Sequence, residues 1–185
     1  MPILAAEPCT FPDDLFDQGS ASAPEGGQWW VLHTHPRAEK AIGRRMRGRR
    51  VPFFLPMGKQ SRRTSGRTHS SYLPLFPGYV FIYGDEHARL AALETNQIVR
   101  VLTVPDQQRL EADLKRVYRL LTGDLPLTPE SGLQPGAKVE IVAGPFEGVH
   151  GKLVRSAGKA RLLVEVEFLR QGVSVEVEAW MVREL

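Results

Sequence analysis

His33 and His35 stand two residues apart in the run QWWVLHTH (28–35), so on an extended strand both rings leave the same face. A pair of this kind can hold a metal, but a site needs three or four donors at workable spacing, and the neighbouring sequence offers none. Cys9 is the single cysteine, which excludes an internal disulfide and a zinc cage. Asp13 and Asp14 are adjacent carboxylates without a matching acid or base. There is no Walker loop, dinucleotide fingerprint or nucleophile elbow. A catalytic centre needs nucleophile, base and orienting groups together, so neither an enzyme nor a metal or cofactor site is expected. The chemistry left is that of binding.

Two stretches carry it. Residues 37–67 hold eleven Lys/Arg against one acid, Glu39, while residues 1–27 hold five acids and no Lys or Arg. A positive field on one third of a chain of net charge +3 suits a polyanion, or forms a solvated basic face. Directly after the basic run comes YLPLFPGYVFIY (72–83), with five aromatics, two prolines, one glycine and no charge. As a strand from Gly78 onward it sets Tyr79, Phe81 and Tyr83 on one face and Val80 and Ile82 on the other. Both faces are apolar, so one can pack on helices and the other needs a separate cover. Trp29 and Trp30 likewise point to opposite faces.

The elements that position these residues follow from periodicity. Residues 1–27 have no sustained period and read as a disordered acidic tail. QWWVLHTH is a strand, and PRAEKAIGRRMRGRR (36–50) a helix with Ala38, Ala41, Ile42 and Met46 on one side. VPFFLP (51–56) is a strand, and 57–71 a loop or hairpin tip. After the aromatic strand, residues 85–95 read as a helix with Leu90, Ala91 and Leu93 inward, and 97–105 as a strand. Residues 106–121 form a helix capped by Asp106, with Leu110, Leu114, Val117 and Leu121 inward. The order β-α-β-β-α-β-α is that of a ferredoxin-like α+β domain over 28–121. Proline and glycine make 122–135 a flexible linker. Residues 136–185 show period-2 strands with turn-like stops, the pattern of a small closed β-barrel. No apolar run nears the ~20 residues of a membrane span, and the N-terminus lacks the marks of a secretory signal, so a cytoplasmic protein without membrane contact is expected.

Two motifs narrow the function. GAKVEIVAGPFEGVHGKLVR (136–155) fixes turn glycines relative to buried valines and resembles the KOW motif of SH3-like barrels. WWVLHTHPRAEKAI followed by LFPGYVFI resembles the N-terminal (NGN) domain of the NusG family of transcription elongation factors, and the likeness runs over about residues 29–185. It implies an α+β chain of a ferredoxin-like NGN domain and a KOW barrel. It also implies docking to RNA polymerase at the clamp helices of the largest subunit, through Trp29, Trp30, His33, Phe76, Pro77, Tyr79 and Phe81. The KOW barrel would take a second partner, a small-subunit ribosomal protein or Rho, with Phe146, Phe168 and Leu169 facing it.

Some features depart from housekeeping members of that family and suggest a specialised paralogue of the RfaH type. They are the acidic N-terminal segment, the arginine-rich first helix, and Leu169-Arg170 where a Phe-Gly step is usual. The resemblance turns the basic side of the domain toward upstream or non-template DNA, with Arg44, Arg45, Arg47, Lys59, Arg62, Arg63 and Arg67 as phosphate contacts. The expected function is processive elongation or antitermination at particular operons. The alternative is a KOW-type RNA- or ribosome-binding structural protein.

Overall fold

The computed structural model describes residues 7–17, 26–64, 67–123, 125–132 and 135–185, without the side chains of residues 61–64, 67 and 69. It separates into two units, Met1–Met57 with Ser61–Gln107, and Gly58–Gln60 with Gln108–Leu185.

The first unit contains β1 (Thr10–Phe11), β2 (Gln28–Thr34), α1 (Glu39–Gly48), β3 (Phe53–Phe54), β6 (Tyr79–Gly84), α2 (Glu86–Leu93) and β7 (Ile98–Thr103). Between β3 and β6, β4 (Met57–Thr64) and β5 (Arg67–Pro74) pair as a hairpin. The main sheet runs β1-β3-β6-β2-β7 and is antiparallel throughout. Without β1, that is the ferredoxin-like strand order. Trp30, Leu32, Phe53, Val80 and Ile82 line one sheet face and meet Ile42 and Met46 of α1 and Ala88 and Ala92 of α2. Each large apolar side chain buried this way contributes about 1.5–3 kcal/mol.

Two expectations are corrected here. α2 does not turn Leu90 and Leu93 inward: both are exposed, and its buried residues are Ala88 and Ala92. The helix turns its small residues to the sheet: Ala88 and Ala92 join the core cluster, and a Cβ placed on Gly84, just before the helix, would stand 2.7 Å from that of Ala88. Nor is the N-terminal segment a disordered tail in its described part. Residues 7–17 add β1 to the sheet edge, Leu55 N–H donates to Cys9 O at 2.6 Å, and Leu15 and Phe16 are buried. Three apolar side chains, Phe11, Leu15 and Phe16, anchor a stretch whose composition suggests none. Residues 1–6 and 18–25, also read as tail, lie outside the described residues.

The second unit holds α3 (Gln107–Leu121) from Gln108 onward, β8 (Leu127–Ser131), β9 (Ala137–Ile141), β10 (His150–Ser156), β11 (Lys159–Val166), β12 (Gln171–Glu176) and β13 (Val182–Glu184). α3 buries Leu110, Leu114 and Val117 as expected, with Leu120 in place of Leu121. It also buries Asp113, which accepts the Glu167 N–H at 3.0 Å and pairs with Arg116. The sheet runs β13-β9-β10-β11-β12-β8 and is open, with β13 and β8 as edges, where the strand spacing suggests a closed barrel. β8 comes from the stretch read as linker: five of its residues pair with β12 in register, Leu127 opposite Val175.

Candidate functional site

The second face of the first unit's sheet carries the aromatic residues. Register sets Trp29 opposite Tyr83, Val31 opposite Phe81, and His33 opposite Tyr79. Phe54 extends the row beside Phe81. The side chains interlock: Phe76 meets Phe81 edge-on at 6.0 Å, Trp29 meets Tyr83 at 5.3 Å, and His33 stacks on Tyr79 at 5.3 Å and 25°. Offset and edge-on pairs of this kind add roughly 0.5–1.5 kcal/mol beyond burial.

The face enters β6 through a tight turn. Phe76 O accepts the Tyr79 N–H at 3.1 Å, and Gly78 has φ +83°. Proline at the second position and a left-handed glycine at the third define a type II turn. Two bonds fix it from outside. The Gly78 carbonyl accepts the Thr34 N–H at 2.9 Å, and the Gly78 N–H donates to Glu39 Oε1 at 2.7 Å. Glu39 is itself buried at the start of α1. A carboxylate so placed spends its charge on a backbone donor and holds the turn rigid, with Pro77 exposed at its corner.

The seven residues expected at a docking surface therefore divide. Pro77 is exposed and His33 and Tyr79 are half-buried, clustered at one end of the face. Phe76 and Phe81 are fully buried. Trp29 is buried at the other end. Trp30 lies on the helix side, where its indole N–H donates to Gly84 O at 3.2 Å and the Arg89 guanidinium sits over its ring. Phe16 joins the face from a segment that periodicity leaves unassigned: it stacks on Trp29 at 5.7 Å and 11° and meets Phe54 edge-on at 4.9 Å. Its only signal in the sequence is one aromatic in an acidic, period-free stretch.

The basic residues divide too. Arg45 Nη1 donates to Thr95 O at 2.9 Å; Arg49 Nη1 donates to Ala91 O at 3.0 Å and pairs with Glu94 at 2.5 Å. These two satisfy carbonyls at and beyond the end of α2, where cations are favoured. Lys40, Arg44 and Arg47 follow i, i+4, i+7 spacing on another side of α1. They line a cavity of about 210 Å³ floored by Phe53 and Leu55. Glu7 stands at its rim, 2.9 Å from Arg44. Lys59 is exposed on β4, and the side chains of Arg62, Arg63 and Arg67 lie outside the described residues.

In the second unit, Phe146 turns inward from the Gly144–Gly148 turn and is buried. It lines a cavity of about 370 Å³ with Leu125, Ile141, Val175, Val177 and Met181. Phe168 and Leu169 are half-buried in a short 3-10 turn that ends at Arg170, φ +53°. The Glu140 carboxylate is held below the ordinary range by the Arg183 guanidinium, 2.6 Å away, with His150 adding a smaller pull. Among the described residues, no cluster of His, Cys, Asp and Glu could hold a metal ion, and no helix is long and apolar enough to cross a membrane.

No curated protein sequence matches this chain. Among solved structures, one described as "Domain interaction in Thermotoga maritima NusG" is similar at 20% identity, covering 86% of this chain and 97% of that one, with a TM-score of 0.49. Another, "Crystal Structure of MjSpt4:Spt5 complex conformation A", is similar at 16% identity over 85% and 97%, with a TM-score of 0.28. Residues 27–121, slightly more than half of the chain, match the family described as NusG, transcription termination factor nusG. That span takes in the strand with Trp29, the proline turn at Pro77-Gly78 and the strand with Phe81, and on this match the chain belongs to the NusG family.

Proposed function

We propose that this protein is a transcription elongation factor that binds RNA polymerase, with no catalytic activity of its own. The observation that carries this reading is the turn Phe76-Pro77-Gly78-Tyr79. It is pinned by a buried carboxylate, and it holds an exposed proline beside the half-buried His33–Tyr79 stack on an uncharged aromatic face. A rigid, apolar, partly accessible cluster suits a helical hairpin such as the polymerase clamp, because aromatic anchors lose little entropy on binding. Pro77, Tyr79 and His33 make first contact, with Phe76 and Phe81 packed behind them and Trp29 at the far end of the face.

The Lys40, Arg44 and Arg47 stripe and Lys59 contact phosphates of upstream or non-template DNA, which positions the factor without reading sequence. Residues 136–185 act as a KOW module whose partner is a small-subunit ribosomal protein or Rho; Phe168, Leu169 and the cavity beside Phe146 are its contact candidates. Leu169-Arg170 and the acidic N-terminal segment favour a specialised, RfaH-type antiterminator acting at particular operons in the cytoplasm. Affinity capture from cells tests the reading: core RNA polymerase is retained, whereas ribosomal subunits without polymerase would show a ribosome-binding protein instead. Adding the protein to Rho-dependent termination tests the finer point, and enhanced termination would contradict antitermination.

A further inference from the structure

The N-terminal segment lies outside the family match, yet it is built into the first unit at three points. Thr10 and Phe11 pair with Phe54 and Phe53. Glu7 pairs with Arg44 of the basic stripe. Phe16 lies flat on Trp29 and edge-on to Phe54, on the aromatic face. One short acidic segment thus touches both surfaces to which the proposed function assigns partners.

We propose that residues 7–17 are an intramolecular strap that occupies part of the polymerase-docking face and is displaced when polymerase binds. The inference rests on the docking reading above. Cover is confined to one end: the strap sits over Trp29 and Phe54, while His33, Tyr79 and Pro77 stay accessible at the other. Polymerase can therefore engage the open end first and compete for the rest. Phe11, Leu15 and Phe16 hold the strap by apolar contact, which a partner's apolar surface can replace, and its other ties are slight. Its strand is two residues long, and its Glu7–Arg44 pair is solvent-exposed, a kind of contact that salt screens. Beneath it, the buried Trp29 indole N–H finds no acceptor among the described residues, and a buried donor left unpaired penalises the covered state. The pairing of Glu7 with Arg44 also places a carboxylate where a phosphate is proposed to bind, so DNA and polymerase would favour the same release.

Two measurements on the full chain test this. Cys9 is half-buried beside the strap's strand, and burial raises its thiol pKa, so it reacts slowly while the strap is seated. Its modification by iodoacetamide, read by mass spectrometry, is expected to speed up several-fold when saturating core RNA polymerase from the same cells is added. Phe16→Ala is expected to bind that polymerase about three- to tenfold more tightly, because the competent fraction rises. Cys9 reactivity that is unchanged or slower in the bound complex overturns the strap, since it requires no variant to fold. So does Phe16→Ala binding that is equal or weaker at wild-type thermal stability. If wild-type protein fails to bind polymerase at all, the docking reading itself falls, an outcome separate from the other two.

Discussion

Glu39 and Gly78 are joined by one hydrogen bond, carboxylate to backbone N–H at 2.7 Å, that ties the first helix to the turn opening the aromatic strand. The bond explains why a charged residue is buried at the start of α1. It also gives the turn a rigidity that proline and glycine alone would not supply.

Removing it has a defined cost. Glu39→Ala leaves the part-buried Gly78 N–H without its acceptor and is expected to destabilise the first unit by about 1–2 kcal/mol. Glu39→Gln keeps an acceptor and should lose less. Gly78→Ala must place a side chain at φ +83° and is expected to cost about 1–2 kcal/mol. Urea titration followed by tryptophan fluorescence ranks the three; an Ala variant at position 39 as stable as wild type would remove the anchor role.

The two sets of basic side chains on α1 and its C-cap should separate in a salt titration. Replacing Lys40, Arg44 and Arg47 by Gln is expected to weaken duplex binding. It should also flatten the dependence of log K on log salt by about 0.9 for each phosphate no longer neutralised. Replacing Arg45 and Arg49 should lower thermal stability, because Thr95 O and Ala91 O then go without these donors, and leave the slope nearly intact. Fluorescence anisotropy over a salt series reads both, and equal slopes for the two sets would refute the division.

Glu140 gives a pH prediction with a definite sign. Its carboxyl is held below the ordinary value by Arg183, so the native state favours the ionised form. The stabilisation is present above the unfolded-state pKa and is lost as pH falls through the lower folded one, in the acid range below about pH 4.5. Arg183→Met should bring the Glu140 titration, followed by carboxyl NMR, back up toward the ordinary value. No movement would assign the shift to another neighbour.

The aromatic block shows where the sequence is readable and where it is not. The alternation of Tyr79, Phe81 and Tyr83 against Val80 and Ile82 follows from the two-residue period of a strand, and the structure keeps it. α2 defeats the same logic, because side-chain size favours Leu90 and Leu93, while the helix buries its small residues Ala88 and Ala92 against the sheet. Phe16 is invisible to periodicity: a single side chain beside a two-residue strand has no period to detect. β8 is masked by the prolines around it, since Pro126 and Pro129 read as linker although an edge strand tolerates them. For the basic residues, composition marks a positive region, but only geometry separates the arginines that cap α2 from those that line the stripe.

Polymerase is proposed to dock at the accessible end of the aromatic face. Phe81→Ala cannot test it, because emptying a fully buried site costs about 3–5 kcal/mol and would confuse unfolding with a weakened interface. His33→Ala combined with Tyr79→Ala can, since both side chains are half-buried. The decisive measurement is the Kd of this double variant for core RNA polymerase, beside its melting curve. We expect a weakening of at least about thirtyfold, the loss of one strong anchor, with a cooperative melting curve lowered by only a few degrees for the lost stack. Unchanged affinity in a folded variant would contradict it.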